Sequence, residues 1–247
     1  MDETAGEIPL FEINPALDRA SLAARFAAEG RVQIRDVLTA RTADTIAGIL
    51  ERETPWGLAS AVGKEKPTVH RAEALRTMND SSRAALGERL THAVKSGDYA
   101  FLYAQYPMLQ AYLERWQPDH PLDLLLEHVN DQPLMELVRD VTNMPELVKA
   151  DAQATLFAPG HFLSMHDDSH VAEGWRVAYV FGFAREWRPD WGGYLMFYDD
   201  DDDVIAGLRP RFNTLNLFAV PQRHNVTYVV PSAPGRRLAI TGWFRDR

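Results

Sequence analysis

The second half of the chain is a series of short runs rich in β-branched and aromatic residues, separated by Gly, Pro, Asp and Asn. Runs of this length and composition are typical of strands, and several of them at regular spacing indicate a sandwich or a barrel. We therefore expect an α+β protein with a mainly β core, in the form of a jelly roll. The predicted strands are 152–157, 162–166, 176–183, 194–198, 212–219, 225–230 and 237–244.

The first 150 residues are mainly helical in pattern. Asn14 can cap a helix that Pro15 opens and Gly30 ends, and a short strand is expected over 32–38. The segment 53–80 has no clear assignment. Core packing is the main expectation for the aromatic run 99–106, with a lid as the alternative. Further helices are expected after Thr39, over 81–95, after Pro107, over 122–129 and after Pro133.

Composition excludes several classes of protein. The formal net charge of -9 argues against a charge-based grip on nucleic acid, which needs clustered Lys and Arg. The chain has no cysteine, so any metal must be held by His, Asp or Glu. The start, MDETAGEIPL, lacks the basic and apolar blocks of a signal peptide, and no apolar run reaches the ~18 residues of a membrane helix. We expect a cytoplasmic protein without membrane or nucleic-acid partners, and the oligomeric state is left open.

A candidate metal site combines His166 and Asp168 with His224, which follows 58 residues after His166. Two imidazoles and one carboxylate hold non-heme Fe(II) and leave one face of its octahedron open. In an extended segment, residues two apart point the same way, so a strand would direct His166 and Asp168 to one metal. His224 would then come from a distant strand packed opposite.

Arg237 is the candidate anchor for an acidic co-substrate. Strand alternation places it on one face with Ala239, Thr241 and Trp243. A buried arginine is costly unless an anion compensates its charge, and a dicarboxylate such as 2-oxoglutarate would do so through a bidentate pair.

Four stretches, PGHFLSMHDDS, WRPDWGGYLMFYD, PQRHNVTYVV and GRRLAITGWF, resemble the 2-oxoglutarate and Fe(II)-dependent dioxygenases of the prolyl 4-hydroxylase-like superfamily over residues 150–247. The resemblance implies a double-stranded β-helix, also called a distorted jelly roll, with N-terminal and inserted helices packed on its sheet. It also implies His166, Asp168 and His224 as iron ligands and Arg237 as the 2-oxoglutarate anchor. Fe(II), 2-oxoglutarate, O₂ and ascorbate are the expected cofactors and co-substrates.

The expected activity is hydroxylation of an unactivated C–H bond. By resemblance the first substrate is a prolyl residue in a protein or peptide, and the second a free amino acid or small metabolite. Two alternatives are a cupin-like Zn(II) or Mn(II) enzyme with the same ligands and a jelly-roll binding module without turnover. We expect one oxygenase domain over 1–247, in which 1–150 is a mainly helical support region and 151–247 the jelly-roll core with the metal site.

Several other residues are weighed for a role. Many relatives carry a tyrosine early in the strand before the His-x-Asp motif that helps hold the co-substrate, whereas residues 156–158 here read Leu-Phe-Ala. Tyr179 or Thr214 are the alternatives for that contact, and Arg176 is a candidate substrate contact. His161 and His170 are expected to be loop residues rather than rival ligands.

Two further sequence features favour a structural interpretation. The run of five aspartates over 199–203 predicts a solvated hairpin turn, with a calcium loop as the less favoured alternative. Three tryptophans flank the strand turns and are expected to pack in the core, with substrate contact as the alternative; they are Trp175, Trp187 and Trp191.

Overall fold

The computed structural model describes residues 10–169 and 173–247. Within these ranges the helices are α1 (Arg19–Glu29), α2 (Ala40–Arg52), α3 (Ala72–Thr77), α4 (Asp80–Ser96), α5 (Met108–Glu114), α6 (Pro121–Asn130) and α7 (Gln132–Thr142). All of these α-helices lie within the first 150 residues, as expected.

The strands within the first 150 residues are β1 (Arg31–Arg35), β2 (Gly57–Val62), β3 (Thr68–His70), β4 (Ala100–Tyr106) and β5 (Lys149–Ala150). Those that follow are β6 (Gln153–Phe157), β7 (Phe162–His166), β8 (Trp175–Phe183), β9 (Leu195–Tyr198), β10 (Val204–Leu208), β11 (Phe212–Ala219), β12 (His224–Val226) and β13 (Arg237–Arg245). The seven predicted strands are therefore all present. The strand β10 was not predicted, and the one predicted over 225–230 ends earlier, at Val226.

The strands form one antiparallel sheet in the order β1-β11-β8-β13-β6-β4-β7-β12-β9-β10. The sheet curls into a nearly closed barrel, the double-stranded β-helix that the resemblance implies. Its larger half carries the helices on its outer face, and its smaller half contains β7, β12, β9 and β10.

Side chains of the larger half alternate between the helices and the barrel interior. In β8, Tyr179 and Phe181 join the cluster of buried apolar residues that α1, α2, α6 and α7 also build, whereas Val180 faces the interior with Phe197 and Phe218. Burial of both faces explains why these strands are almost uniformly apolar. The outer cluster is the main core, and it fixes the sheet that carries the candidate site.

Strands from the first part of the chain complete the sheet. β1 pairs with β11 at one edge, and β4 pairs with both β6 and β7 and so bridges them. The aromatic run 99–106 is thus a central strand, and the alternative of a lid is wrong. The unassigned segment 53–80 forms β2, β3 and α3, and β2 pairs along the free edge of β4.

Local capping explains where the first helix begins and ends. It starts at Arg19 rather than near Pro15, because the Asp18 side chain accepts a hydrogen bond from the backbone N–H of Ser21 at 3.0 Å. It ends at Gly30, which adopts a left-handed conformation with φ of 64°. No helix in the described ranges has both the length and the apolar character needed to cross a bilayer.

Candidate metal centre

The barrel encloses a cavity of about 660 Å³ that opens between its two halves. His166, Asp168, His224 and Arg237 all lie on its wall. The rest of the wall is mainly aromatic, with contributions from Tyr99, Phe101, Tyr103, Phe157, Trp175 and Trp243.

His166 is the last residue of β7 and His224 the first of β12, and the two are directly paired neighbours on adjacent strands. Their ring centroids are 4.1 Å apart. The proximity of the two histidines therefore follows from the register of one strand pair, and not from strands packed opposite each other as the sequence led us to expect.

Both rings are oriented by backbone carbonyls. The Nδ1 atom of His166 lies 2.9 Å from the carbonyl oxygen of Ser164, and that of His224 lies 2.7 Å from the carbonyl oxygen of Gln222. A carbonyl can only accept, so Nδ1 carries a hydrogen in each ring, and the neutral ring has its lone pair on Nε2. Both Nε2 atoms face the same carboxylate. The Nε2 atom of His166 donates to Asp168 when the ring is protonated and can bind a metal when the ring is neutral.

Asp168 reaches the histidines from a turn and not from a strand. Strand β7 ends at His166, and Asp168 has φ of 56°, a left-handed conformation that aspartate adopts more readily than most residues. The expectation that strand alternation aligns His166 with Asp168 is therefore wrong in its reason, although the two side chains do converge. The left-handed turn, and not an extended segment, brings the Asp168 carboxylate to His166.

The three side chains form one compact donor set. Asp168 Oδ1 lies 3.4 Å from His166 Nε2, and Oδ2 lies 3.5 Å from His224 Nε2. One ligand atom from each residue lies within 4.8 Å of the others. Metal bonds of ~2.0–2.2 Å to imidazole and carboxylate place neighbouring ligand atoms roughly 3 Å apart, so this set fits a single ion.

Charges within the cluster favour metal-binding protonation states at two of the three positions. Burial, followed by the neighbouring His166, lowers the pKa of His224 to about 4, so its imidazole is neutral at pH 7. Burial alone would raise the pKa of Asp168, but the hydrogen bond from His166 and the charges of both histidines lower it. For His166, burial opposes protonation, and the hydrogen bond and charge of Asp168 outweigh it and raise the pKa.

Trp243 also contacts the carboxylate of Asp168. Its indole Nε1 donates to Asp168 Oδ2 at 2.9 Å, and its ring stacks on Trp175 at a centroid distance of 3.9 Å. The sequence pattern did not predict a role for Trp243 in the site. Its place on the same face of β13 as Arg237 was the available signal.

Arg237 lies deep in the same cavity, at the start of β13, and is 5 % exposed. Its guanidinium lies over the Phe157 ring at 4.8 Å and makes no ion pair or hydrogen bond with any residue of the described ranges. Burial lowers its pKa to about 10, which leaves it charged at neutral pH. A buried cation without an anion is costly, which makes Arg237 a candidate anion-binding residue.

The alternation predicted for β13 is observed. Arg237, Thr241 and Trp243 line the cavity, whereas Leu238, Ile240 and Phe244 belong to the core beneath the helices. The pattern of polar and apolar residues along this strand therefore separates the site from the core.

The remaining candidates lie outside this group. Arg176 pairs with Asp246 at 2.5 Å and does not line the cavity. His161 contacts the backbone of Leu156 and Ala158. His170 lies outside the described residues.

Neither hydroxyl weighed as a co-substrate contact points to Arg237. Tyr179 donates to the carbonyl oxygen of Asp151 at 2.8 Å, and the Thr214 hydroxyl lies 3.4 Å from the carbonyl oxygen of Arg211. Tyrosines do reach the cavity, but they come from the neighbourhood of β4. Tyr103 stacks on Phe157 at 5.0 Å, and Tyr99 contacts the edge of His166 at 6.0 Å.

The aspartate run forms the predicted hairpin turn. The Asp199 carboxylate accepts hydrogen bonds from the backbone N–H groups of Asp201 and Asp203 at 3.0 and 2.9 Å. Arg223 pairs with Asp202 and donates to the carbonyl of Asp199. Contacts within the protein therefore stabilise this loop.

Comparison with known proteins shows what the second part of the chain is similar to. Residues 152–245 match the model of the 2OG-Fe(II) oxygenase superfamily. A segment of 89 residues is 36% identical to prolyl 3-hydroxylase OGFOD1 of Mus musculus; it amounts to 33% of this chain and 16% of that protein. The chain thus covers only a small part of the length of this relative.

Solved structures support the same fold over nearly the whole chain. A prolyl-4-hydroxylase from Pseudomonas putida superimposes with a TM-score of 0.56 at 18% identity, covering 93% of this chain and 99% of the other. A prolyl hydroxylase from Trichoplax adhaerens, solved with a peptide fragment of the hypoxia inducible factor oxygen degradation domain, gives a TM-score of 0.56 at 14% identity. It covers 92% of this chain and 89% of that one. The resemblance seen in the sequence and the fold that it implied are confirmed.

Proposed function

We propose that this chain, whose residues 152–245 match the 2OG-Fe(II) oxygenase superfamily, is a 2-oxoglutarate- and Fe(II)-dependent dioxygenase that hydroxylates an unactivated C–H bond. The observation that carries the proposal is the convergence of His166, Asp168 and His224 in one cavity with the unpaired Arg237. The alternatives without 2-oxoglutarate, a cupin-like enzyme or a simple binding module, give no reason for a buried arginine there.

His166, Asp168 and His224 are the proposed ligands of the iron, and Trp243 fixes the orientation of the carboxylate. When bound, Fe(II) supplies the redox chemistry by which O₂ and 2-oxoglutarate oxidise a C–H bond. The protein contributes positioning. The two imidazoles are held by backbone carbonyls before a metal binds, so little conformational entropy is lost when it does.

Arg237 is proposed to bind the carboxylate of 2-oxoglutarate that does not face the metal. Its guanidinium can donate two parallel hydrogen bonds to a carboxylate. Charges also balance, because one carboxylate ligand leaves a ferrous ion with one positive unit, Arg237 adds another, and the co-substrate is a dianion. The desolvated walls strengthen this pairing.

The proposed substrate is a prolyl residue in a protein or peptide. The prolyl hydroxylase relative and the prolyl hydroxylase folds support this choice. The aromatic wall supports it as well, because Tyr99, Phe101 and Trp175 present apolar surface and no charge to a substrate entering beside the metal ligands. A free amino acid or small metabolite is the second candidate. Arg176 stays a predicted substrate contact, although it does not line the cavity.

The activity is tested by 2-oxoglutarate decarboxylation without substrate. The full chain is incubated with Fe(II), ascorbate and 2-oxoglutarate, and succinate is measured. We expect succinate from the wild type and from His161→Ala, the control that removes a histidine outside the cluster, and none from His166→Ala. Equal rates in wild type and His166→Ala would exclude the metal assignment.

The substrate class is tested on the active enzyme. Proline-containing peptides and free amino acids are offered in parallel, and products are analysed by mass spectrometry for the gain of one oxygen atom. Hydroxylation of a prolyl residue in peptides supports the first candidate. Product only from free amino acids would replace it by the second.

The full chain is proposed to act as one oxygenase unit, since strands from both of its parts build the cavity wall. Its cytoplasmic location and its lack of nucleic-acid partners stay predictions.

A further inference from the structure

A second cavity, of about 290 Å³, lies where β1 and β8 end and β11 begins. Four arginines line it: Arg35, Arg185, Arg209 and Arg211. Because the chain carries a net charge of -9, this concentration of positive charge does not follow from a generally basic composition. The cavity shares no lining residue with the metal cavity.

The positive charge of this arginine cavity is not neutralised by its neighbours in the described ranges. Arg185 is paired, with Asp44 at 2.7 Å and Glu51 at 4.0 Å. The other three make no ion pair within residues 10–169 and 173–247, and the lining contains a single acidic residue, Asp36. Three guanidinium groups therefore face one carboxylate.

Two of the guanidinium groups are already held in place. Arg209 donates to the backbone carbonyl of Trp187 at 2.8 Å, and Arg185 lies over the Phe212 ring at 4.2 Å. Burial, together with the charges of Arg35 and Arg209, lowers the pKa of Arg211. Repulsion among ordered like charges is relieved by an anion, and ordered donors lose little entropy when they bind one.

We propose that the arginine cavity binds the phosphate group of a small phosphorylated molecule. Phosphate is the matching chemistry because it carries up to two negative charges and can accept bidentate hydrogen bonds from several guanidinium groups at once. The volume of about 290 Å³ admits a phosphate with a small organic group attached. The site lies apart from the proposed metal centre, and its occupation does not require the proposed activity.

The test measures binding of inorganic phosphate to the full chain by calorimetry, at fixed ionic strength set with chloride. We expect saturable binding by the wild type. Arg211→Gln and the double variant Arg35→Gln/Arg211→Gln should weaken it by about tenfold or more, because each removes a charged donor. Arg188→Gln is the matched control, because Arg188 is exposed, lies on the same loop as Arg185 and does not line the cavity; this variant should bind as the wild type does.

Two further variants keep the result specific. Arg211→Lys retains the charge but not the bidentate fork, so it should fold normally and bind with intermediate affinity. Arg237→Gln removes the other candidate anion-binding residue and should still show saturable phosphate binding, since the arginine cavity stays intact. Equal weakening in Arg188→Gln, loss of binding in Arg237→Gln, or no saturable binding by the wild type would each overturn the proposal. Preference for an oligonucleotide over phosphate and glycerol phosphate would overturn the assignment to a small molecule.

Discussion

Trp243 donates its indole N–H to Asp168 across 2.9 Å and thereby ties the carboxylate of the candidate metal site to the strand that also carries Arg237. One strand thus positions both the proposed iron ligand and the proposed co-substrate anchor. The backbone N–H of Trp243 is itself fixed, because it donates to Asp151 Oδ1 at 2.9 Å. The position of β13 is therefore coupled to the geometry of the whole site.

Replacing the indole donor of Trp243 should weaken metal binding without unfolding the protein. Trp243→Phe retains a ring to stack on Trp175 but leaves Asp168 free to rotate, and we expect metal affinity to fall roughly 10–100-fold. Mn(II) binding followed by electron paramagnetic resonance measures this. Trp187→Phe is the control, because it also removes a buried indole hydrogen bond, to Gly192, away from Asp168. Equal metal affinity in Trp243→Phe and wild type would contradict the role.

Arg237 is predicted to lower the stability of the protein when no anion is bound. Arg237→Met removes a buried unpaired charge, so the free energy of unfolding should rise by about 1–4 kcal/mol, the range found when buried ion pairs are replaced by apolar residues. Added 2-oxoglutarate should then stabilise the wild type and not the variant. Chemical denaturation with and without 2-oxoglutarate provides both values. Arg236→Met, at the exposed neighbouring position, should behave as the wild type does.

The aspartate turn is predicted to be structural. Asp199→Ala removes the acceptor of two backbone N–H groups and should cost about 1 kcal/mol of stability. Asp200→Ala, in the same exposed turn, should have little effect. Calcium should not raise the thermal midpoint of the wild type. A calcium-dependent rise that is lost in Asp199→Ala would restore the calcium-loop alternative.

The first part of the chain is predicted to be required for folding of the second. A fragment of residues 149–247 contains the matched oxygenase segment but lacks β4, which pairs with β6 and β7, and β1, which pairs with β11. Unpaired strand edges and an uncovered core face should prevent cooperative folding. Thermal unfolding followed by circular dichroism tests this against the full chain. A sharp transition in the fragment would show that the second part folds alone.

The polar and apolar pattern was enough to predict seven of the strands after residue 150 and the side of β13 that faces the cavity. Buried strands carry nearly continuous apolar runs, and Arg237 stands at the start of one, so this signal can be recognised in the local sequence. The pattern did not reveal β4, because its run of aromatic residues fits a packed helix, a loop or a strand equally well. Its assignment depends on pairing with residues about 50 positions away.

Sequence patterns were sufficient to identify the candidate residues of the site: two imidazoles, one carboxylate and an arginine. Tertiary structure alone decided how they meet. Cross-strand register places His166 beside His224, a left-handed turn brings Asp168 back to both, and an indole from β13 holds it. Register and turn conformation depend on the packing of distant strands, and these contacts cannot be derived from local sequence patterns.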